Sequence, residues 1–476
     1  MSFVSFEFIL VFLPLCLLVY FVIPTIWRWA WLLSVSYFFY GFHIPAYLIL
    51  LLLSTLVDYL AGLRMAASSH SALRKRWLLF SISTNLGILL FFKYFNFFTT
   101  ETAQLLSWIG VHWEAPVHQY WLPLGISFYT FQTLSYSIDV YRGYIKPEKH
   151  FGKFALYVCF FPQLVAGPIE RARSLLGQFH FNHSFDYIRV REGLQLILWG
   201  CFKKLVIANN LIKYTDTVLS GDQAHHGLSI FLAGFFFYIR VFFDFAAYSD
   251  IAIGISRIMG IKLSKNFGHH PFFSSPTHHW KEWHITLTDW FRDYVYFPLT
   301  RHGTSKNYWY FCLLITFLIT GLWHGASWGF IAWGGIHGLY LVTDQRSQAL
   351  RKKWGNMLGI NKYPILVNSL STANFIFMVI LATFFFATDF SGALTLIRSM
   401  FIFDDFLNLG TNPMRITLMT LAVIGTSIFG YVLGKKSVYE YLGHRPGWFR
   451  WLFYIVIIYS ILFFRGTETE FVYFEF

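Results

Sequence analysis

The chain is divided by apolar runs near 5–23, 29–43, 45–63, 77–93, 121–140, 193–213, 228–247, 308–323, 326–343, 369–388, 416–433 and 451–465. A bilayer-spanning helix needs about 20 mostly apolar residues. Twelve such runs, some short, leave little choice of architecture. In hydrocarbon every backbone N–H and C=O must be satisfied internally, so an open chain of this pattern folds as a helix bundle. The expected fold is all-α and polytopic, with about eleven or twelve transmembrane helices plus re-entrant or interfacial ones. Composition closes the alternatives. Of the 476 residues, 56% are hydrophobic and only 13% charged, against about 25% charged in a soluble domain. A soluble globular enzyme, a disordered chain and a disulfide scaffold are excluded. Aromatic residues make up 21%, which suggests aromatic packing around a ligand tunnel.

Charge sets the orientation. The formal net charge is +13, which in a soluble protein would suggest an acidic partner. Here the basic residues follow the spans. With the N-terminus outside, the inward segments carry 29 of the 37 Lys and Arg, as the positive-inside rule requires. Both termini then face outward, and the tail is acidic through Glu468, Glu470 and Glu475. No nucleic-acid partner is needed to explain the charge. Residues 1–23 lack a basic start and carry Glu7, so they are expected to stay as a first span. Cys16, Cys159, Cys201 and Cys312 lie in apolar stretches without C-x-x-C spacing and read as small buried hydrophobes. No linker or internal repeat interrupts the chain, so one integral domain over 1–476 is expected.

Polar residues inside such a chain are costly and point to function. Four places stand out. Phe154–Val165 is too short to span and ends in Ala166-Gly167-Pro168; it and Ser249–Gly260 read as re-entrant segments. His324 lies between Trp323 and Gly325, at the junction of two apolar runs. A neutral imidazole there can take a proton from a hydroxyl, or simply hydrogen-bond a neighbouring helix. His337 reads as structural. Residues 275–294 read as one amphipathic helix, capped by Ser275 and Pro276. On it Trp280, Trp283, His284, Leu287, Trp290, Phe291 and Tyr294 share a face, and Lys281, Glu282, Thr288, Asp289 and Arg292 the rest. His269, His270, His278 and His279 cluster nearby, but no metal-ligand spacing supports zinc. Asp244 and Asp250 at membrane depth need partners, for which Arg240, Arg257 or a His are the candidates. A packing salt bridge and a site role remain equal readings. No Walker loop, G-x-S-x-G elbow or dinucleotide fingerprint is present.

These stretches, taken together, resemble the membrane-bound O-acyltransferase (MBOAT) family, in particular its bacterial alginate O-acetyltransferase-like branch. The resemblance rests on Leu124 to Gln132, Ser137 to Gly143, Phe160 to Ile169, Tyr248 to Gly254, Trp283-His284-Ile285-Thr286-Leu287 with Trp290 to Tyr294, Trp323-His324-Gly325-Ala326, and the tail Phe471 to Phe476. The motifs fall mostly within a core of 120–345. The resemblance implies helices around a central tunnel, with His324 as the catalytic residue and His284 as the second polar residue of the reaction centre. It implies substrate-binding or tunnel-lining roles for Trp283, Trp290, Arg292, Asp293, Trp323, Ser249, Asp250 and Gln132, and no metal. Ala246-Ala247 departs from the small Ser-Gly pair expected before Tyr248.

The expected activity is acyl transfer, with acetyl as the group. The donor is a cytoplasmic thioester, acetyl-CoA or an acyl-carrier protein, used as co-substrate with no permanently bound cofactor. The acceptor is an extracytoplasmic polysaccharide: an alginate-like exopolysaccharide, cellulose or peptidoglycan. The expected setting is the bacterial inner membrane, with a periplasmic acetyltransferase and polymer synthesis machinery as partners. Two other readings compete. One is D-alanyl transfer to teichoic acid. The other is a transporter of acyl donor or glycan, for which the expected inverted repeat is not seen in the sequence.

Overall fold

The structure is a computed structural model. It describes the chain except residues 43, 119–121, 220–224, 269–274, 358–363, 388, 403–412, 435, 468, 470 and 472–476, and the side chains of 364–370. The pair His269 and His270, the tail acids Glu468, Glu470 and Glu475, and the tail motif beyond Phe471 therefore lie outside the described residues. Among the described residues the secondary structure is helical and there is no strand.

Each of the twelve apolar runs falls on a helix. Five helices are long and apolar enough to cross a membrane by length and composition: Tyr47–Ala67, Ser71–Trp108, Leu228–Met259, Pro413–Leu433 and Gly447–Phe464. Glu7–Val22 and Ser371–Phe386 are shorter apolar helices. The remaining runs sit on helices such as Arg28–Gly41, Ile126–Tyr141, Lys306–His324 and Trp328–Met357. All four cysteines are free and buried.

Two compact units are present: residues 1–197 with 251–264, and residues 198–250 with 265–476. In the first, Tyr47–Ala67, Ser71–Trp108 and Ile126–Tyr141 pack round a buried polar network. Asp58 accepts from Asn85 Nδ2 at 2.8 Å and Ser137 Oγ at 3.0 Å, and from Ser81 Oγ. Such a network is stable at depth because its members satisfy one another. Phe154–Val165 is no span. It forms two short helices, Phe151–Cys159 and Phe161–Leu164, with Pro162 in the first turn of the second. Both are buried from Phe154 onward.

One expectation is corrected here. Ser249–Gly260 is not a re-entrant segment. Ser249 to Met259 continue the 32-residue helix Leu228–Met259. At about 1.5 Å per residue that helix is roughly 48 Å long, well beyond the ~30 Å hydrocarbon core. Its polar residues break the hydropathy pattern without breaking the helix.

Candidate active site

The second unit holds His324. The helix Lys306–His324 ends on this residue, and Gly325 behind it is extended. The next helix, Trp328–Met357, runs back along it. The two backbones touch where Gly321 faces Gly334: a Cβ on either would lie 2.2 Å from a carbonyl oxygen of the other helix. This close crossing packs His324 against the second helix, with its ring centroid 5.2 Å from that of Trp333. His337 lies one turn further, 4.5 Å from Trp333.

A small cavity opens beside His324. Its lining is Phe237, Tyr238 and Val241 of Leu228–Met259, His279, Trp280 and Trp283, then His324, Trp333 and His337, closed by Met378, Ala382 and Phe385. Its volume is about 40 Å³, room for about two or three water-sized groups. His324 is only 5% exposed, and its ring makes edge contacts with Trp323 at 4.9 Å and Phe385 at 5.1 Å. Aromatic edge contacts of this kind contribute about 0.5–1.5 kcal/mol each beyond burial. They hold the imidazole in one orientation at the cavity wall. Tyr238 stacks on Trp283 at 5.3 Å, and its hydroxyl lies 3.5 Å from His279 Nδ1.

The segment expected as one amphipathic helix is broken. Pro276–Glu282 ends, Trp283 is extended, and His284 adopts φ 43° and ψ 55° before Ile285–Phe291 begins. His284 is the one non-glycine residue with positive φ among those described. A conformation of this type costs of order 1–3 kcal/mol and persists only where its surroundings fix it. Here residues 266–268 do so. Ile285 N donates to Asn266 O at 2.8 Å, and Gly268 N to Glu282 O at 2.8 Å. Asn266 Oδ1 accepts from Thr286 Oγ1 at 2.8 Å and lies 3.0 Å from His284 Nδ1. The rings of Phe245 (4.6 Å), Phe267 (6.2 Å) and Trp323 (6.4 Å) enclose the imidazole. The aromatic residues still point inward, except Tyr294, which is half-buried.

The structure sorts the expected site residues. His324 and Trp283 line the cavity. Trp323 packs its indole on both His324, at 4.9 Å, and His284, at 6.4 Å. Trp290 is buried and packs on Phe291 and Tyr294. Arg292 is exposed and pairs with Asp289 at 2.5 Å and Asp293 at 2.9 Å, off the cavity wall. Ser249 accepts a hydrogen bond from Asn266 Nδ2 at 3.3 Å. Gln132 belongs to the first unit, where its Nε2 donates to Tyr157 O.

The two acids have lysine partners that were not among the candidates. Asp250 pairs with Lys203 at 2.8 Å and Asp244 with Lys204 at 2.7 Å. Arg257 pairs with Glu192, at 2.5 Å. A π-helical turn, Lys203–Ala208, places the two lysines. His279 and His337 join His324 at the cavity wall. Their signals were faint: His337 follows Trp333 by one helical turn, and His279 follows the capped start at Ser275. His278 is exposed and faces Glu282 at 3.5 Å. Among the described residues no three His, Cys, Asp or Glu side chains converge on a possible metal position.

The sequence profile of the membrane-bound O-acyltransferase family matches residues 1–388. The chain belongs to this family. It is therefore an O-acyltransferase and a multi-pass membrane protein in a lipid bilayer. A probable alginate O-acetylase of Azotobacter vinelandii is 34% identical over 437 residues, covering 91% of this chain and 84% of the other. A peptidoglycan O-acetyltransferase of Helicobacter pylori is 33% identical over 425 residues, covering 83% and 78%. A teichoic acid D-alanyltransferase of Bacillus subtilis is 28% identical over 274 residues, covering 55% and 68%. For an O-acyltransferase the wall chemistry is apt. Neutral imidazoles can accept a proton, indole N–H groups can only donate, and most of the remaining lining is apolar.

Proposed function

We propose that this acyltransferase moves an acetyl group from a cytoplasmic thioester donor to an extracytoplasmic polysaccharide, with His324 as the general base. The observation that carries the reading is the buried His324 at the wall of a 40 Å³ aromatic cavity. That space fits the three heavy atoms of an acetyl group. Relatives named as alginate and peptidoglycan O-acetyltransferases cover most of the chain, which supports acetyl and a surface glycan. In this reading the acceptor hydroxyl gives its proton to His324 as its oxygen attacks the acyl carbon. The C–S bond then breaks, and the proton passes to the leaving thiolate. Holding both reactants in a dry cavity supplies much of the rate by proximity. The thioester is a co-substrate, acetyl-CoA or an acyl-carrier protein. Trp283, Trp290 and Trp323 shape the path, and His284 is the second polar residue of the centre. The setting is the bacterial inner membrane with both termini outside, alongside a periplasmic acetyltransferase and the polymer synthesis machinery.

The test compares His324→Ala with the native protein, by mass analysis of surface glycan and by transfer from a thioester in detergent. The variant is expected to insert normally and to lose acetylation by both measures. Native-level acetylation in the variant refutes the assignment. D-alanylation of the glycan in place of acetylation would redirect the donor to an amino-acyl thioester.

A further inference from the structure

We propose that His337 is a catalytic residue: its Nε2–H hydrogen-bonds the acyl carbonyl oxygen as that oxygen gains charge during transfer. The proposal rests on the acyl-transfer reading above, in which His324 takes the proton of the acceptor hydroxyl. It starts from how His337 is held. Glycines stand three residues before it and one after it. A Cβ at Gly334 would lie 2.2 Å from Phe317 O, and one at Gly338 would lie 3.0 Å from Phe317 Cβ. The helix carrying His337 is thus pressed on Lys306–His324 at both positions. The imidazole between them is 3% exposed. Trp280 and Trp333 pack on it at 5.3 and 4.5 Å. Trp333 also packs on His324, at 5.2 Å, so both imidazoles rest on one indole in the wall of one cavity.

The two ring nitrogens of His337 differ. Nδ1 is enclosed and has no hydrogen-bond partner among the described residues. Nε2 is not enclosed, and the cavity that His337 lines is the space it meets. A buried imidazole without a protein partner lowers stability, and a ligand in the cavity can supply the missing bond. Acyl-transfer chemistry says which ligand atom does so. The acceptor hydroxyl has one proton, and His324 takes it. The acyl carbonyl oxygen has lone pairs and no proton, so it can only accept. It therefore selects the tautomer of His337 with the proton on Nε2. When the hydroxyl oxygen bonds to the acyl carbon, the C=O electron pair moves onto the carbonyl oxygen. The hydrogen bond from Nε2–H strengthens as that charge grows. When the C–S bond breaks, the C=O bond re-forms and the charge is gone. His337 keeps its proton throughout, and the proton held by His324 passes to the thiolate. The indole N–H of Trp280 is enclosed and does not reach the same space.

The test uses the full-length protein in detergent with His337→Leu and His337→Gln. Leucine removes both nitrogens at similar volume. It is expected to cut kcat at least about 100-fold while KM for acetyl-CoA stays within about 2-fold. Its thermal unfolding is expected at or above the native temperature, because a partnerless polar group has been removed. Glutamine carries a side-chain N–H of the kind that serves oxyanions, and should restore kcat at least about 10-fold over leucine. A merely structural histidine would give the reverse: a lower unfolding temperature and no gain from glutamine. A second measurement does not depend on turnover. In His324→Ala the donor stays intact, and acetyl-CoA labelled with ¹³C at the carbonyl is the probe. Its infrared carbonyl band should move to lower frequency on binding, and the move should vanish when His337→Leu is added. A native kcat in His337→Leu, an unfolding temperature clearly below native, or a carbonyl band that ignores residue 337 overturns the proposal. If native protein transfers no acyl group, the acyl-transfer reading fails, while the carbonyl band still decides whether His337 meets the thioester.

Discussion

The crossing of Lys306–His324 over Trp328–Met357 sets the geometry at His324, and Gly334→Ala tests how tightly. A Cβ at Gly334 would stand 2.2 Å from Phe317 O and 3.0 Å from Gly321 Cα. Real Cβ contacts stay beyond 3.0 Å, so the helices must separate by at least about 0.8 Å, and both obstacles are backbone. Overpacking of this size costs roughly 1–3 kcal/mol. The effect on rate should be larger than that on stability. Trp333 and His337 ride on the displaced helix, and His324 lies one turn beyond Gly321 on the other. A displacement near 1 Å in a reacting centre can cost about 100-fold, or about 2.7 kcal/mol of barrier. The expected result is a folded protein with kcat reduced about 10- to 100-fold. The assay is thioester-to-acceptor transfer in detergent, with thermal unfolding of the same samples. Gly335→Ala is the control. Its Cβ would meet only Leu318 Cδ2, at 3.2 Å, and a side-chain methyl can give way. Near-native kcat for both variants would refute the claim that this crossing positions the site.

Two further outcomes are expected. Lys204→Met takes the ammonium away from the buried Asp244 carboxylate, 2.7 Å distant, and should cost about 3–5 kcal/mol. Adding Asp244→Leu should recover most of this in thermal unfolding, and a single variant as stable as the double would show that the pair is not the source. Met378→Ala removes one wall of the cavity beside His324 and should raise propionyl transfer relative to acetyl several-fold. An unchanged ratio in competition between the two thioesters would place the acyl group outside this cavity.

The helices were legible because lipid leaves the backbone no alternative. All twelve apolar runs became helix, and even the polar stretch from Ser249 to Met259 did so, since it continues a helix already formed. What failed was inference from helical spacing where the backbone leaves the regular helix. The pattern from Trp280 to Tyr294 fits one helix, yet His284 turns left-handed in its middle. Spacing places the buried rings correctly on either side but says nothing of the turn. The turn depends on Asn266, a residue in a stretch with no periodicity. The acids Asp244 and Asp250 show the same limit. Their partners Lys203 and Lys204 sit in a π-helical turn, whose register a 3.6-residue wheel does not describe. Arg257, one of the candidates beside Arg240 and a His, pairs with Glu192. His279 and His337 were hidden for a different reason. Each is one aromatic-flanked histidine among many, and only the contact of Gly321 with Gly334 carries His337 to the wall that His324 shares. His324 was thus readable as a candidate from its own neighbours. The residues around it were less legible, because the turn at His284 leaves the regular helix and the contact of Gly321 with Gly334 is set by packing. Functional tests of this enzyme therefore belong at Gly334 as well as at His324.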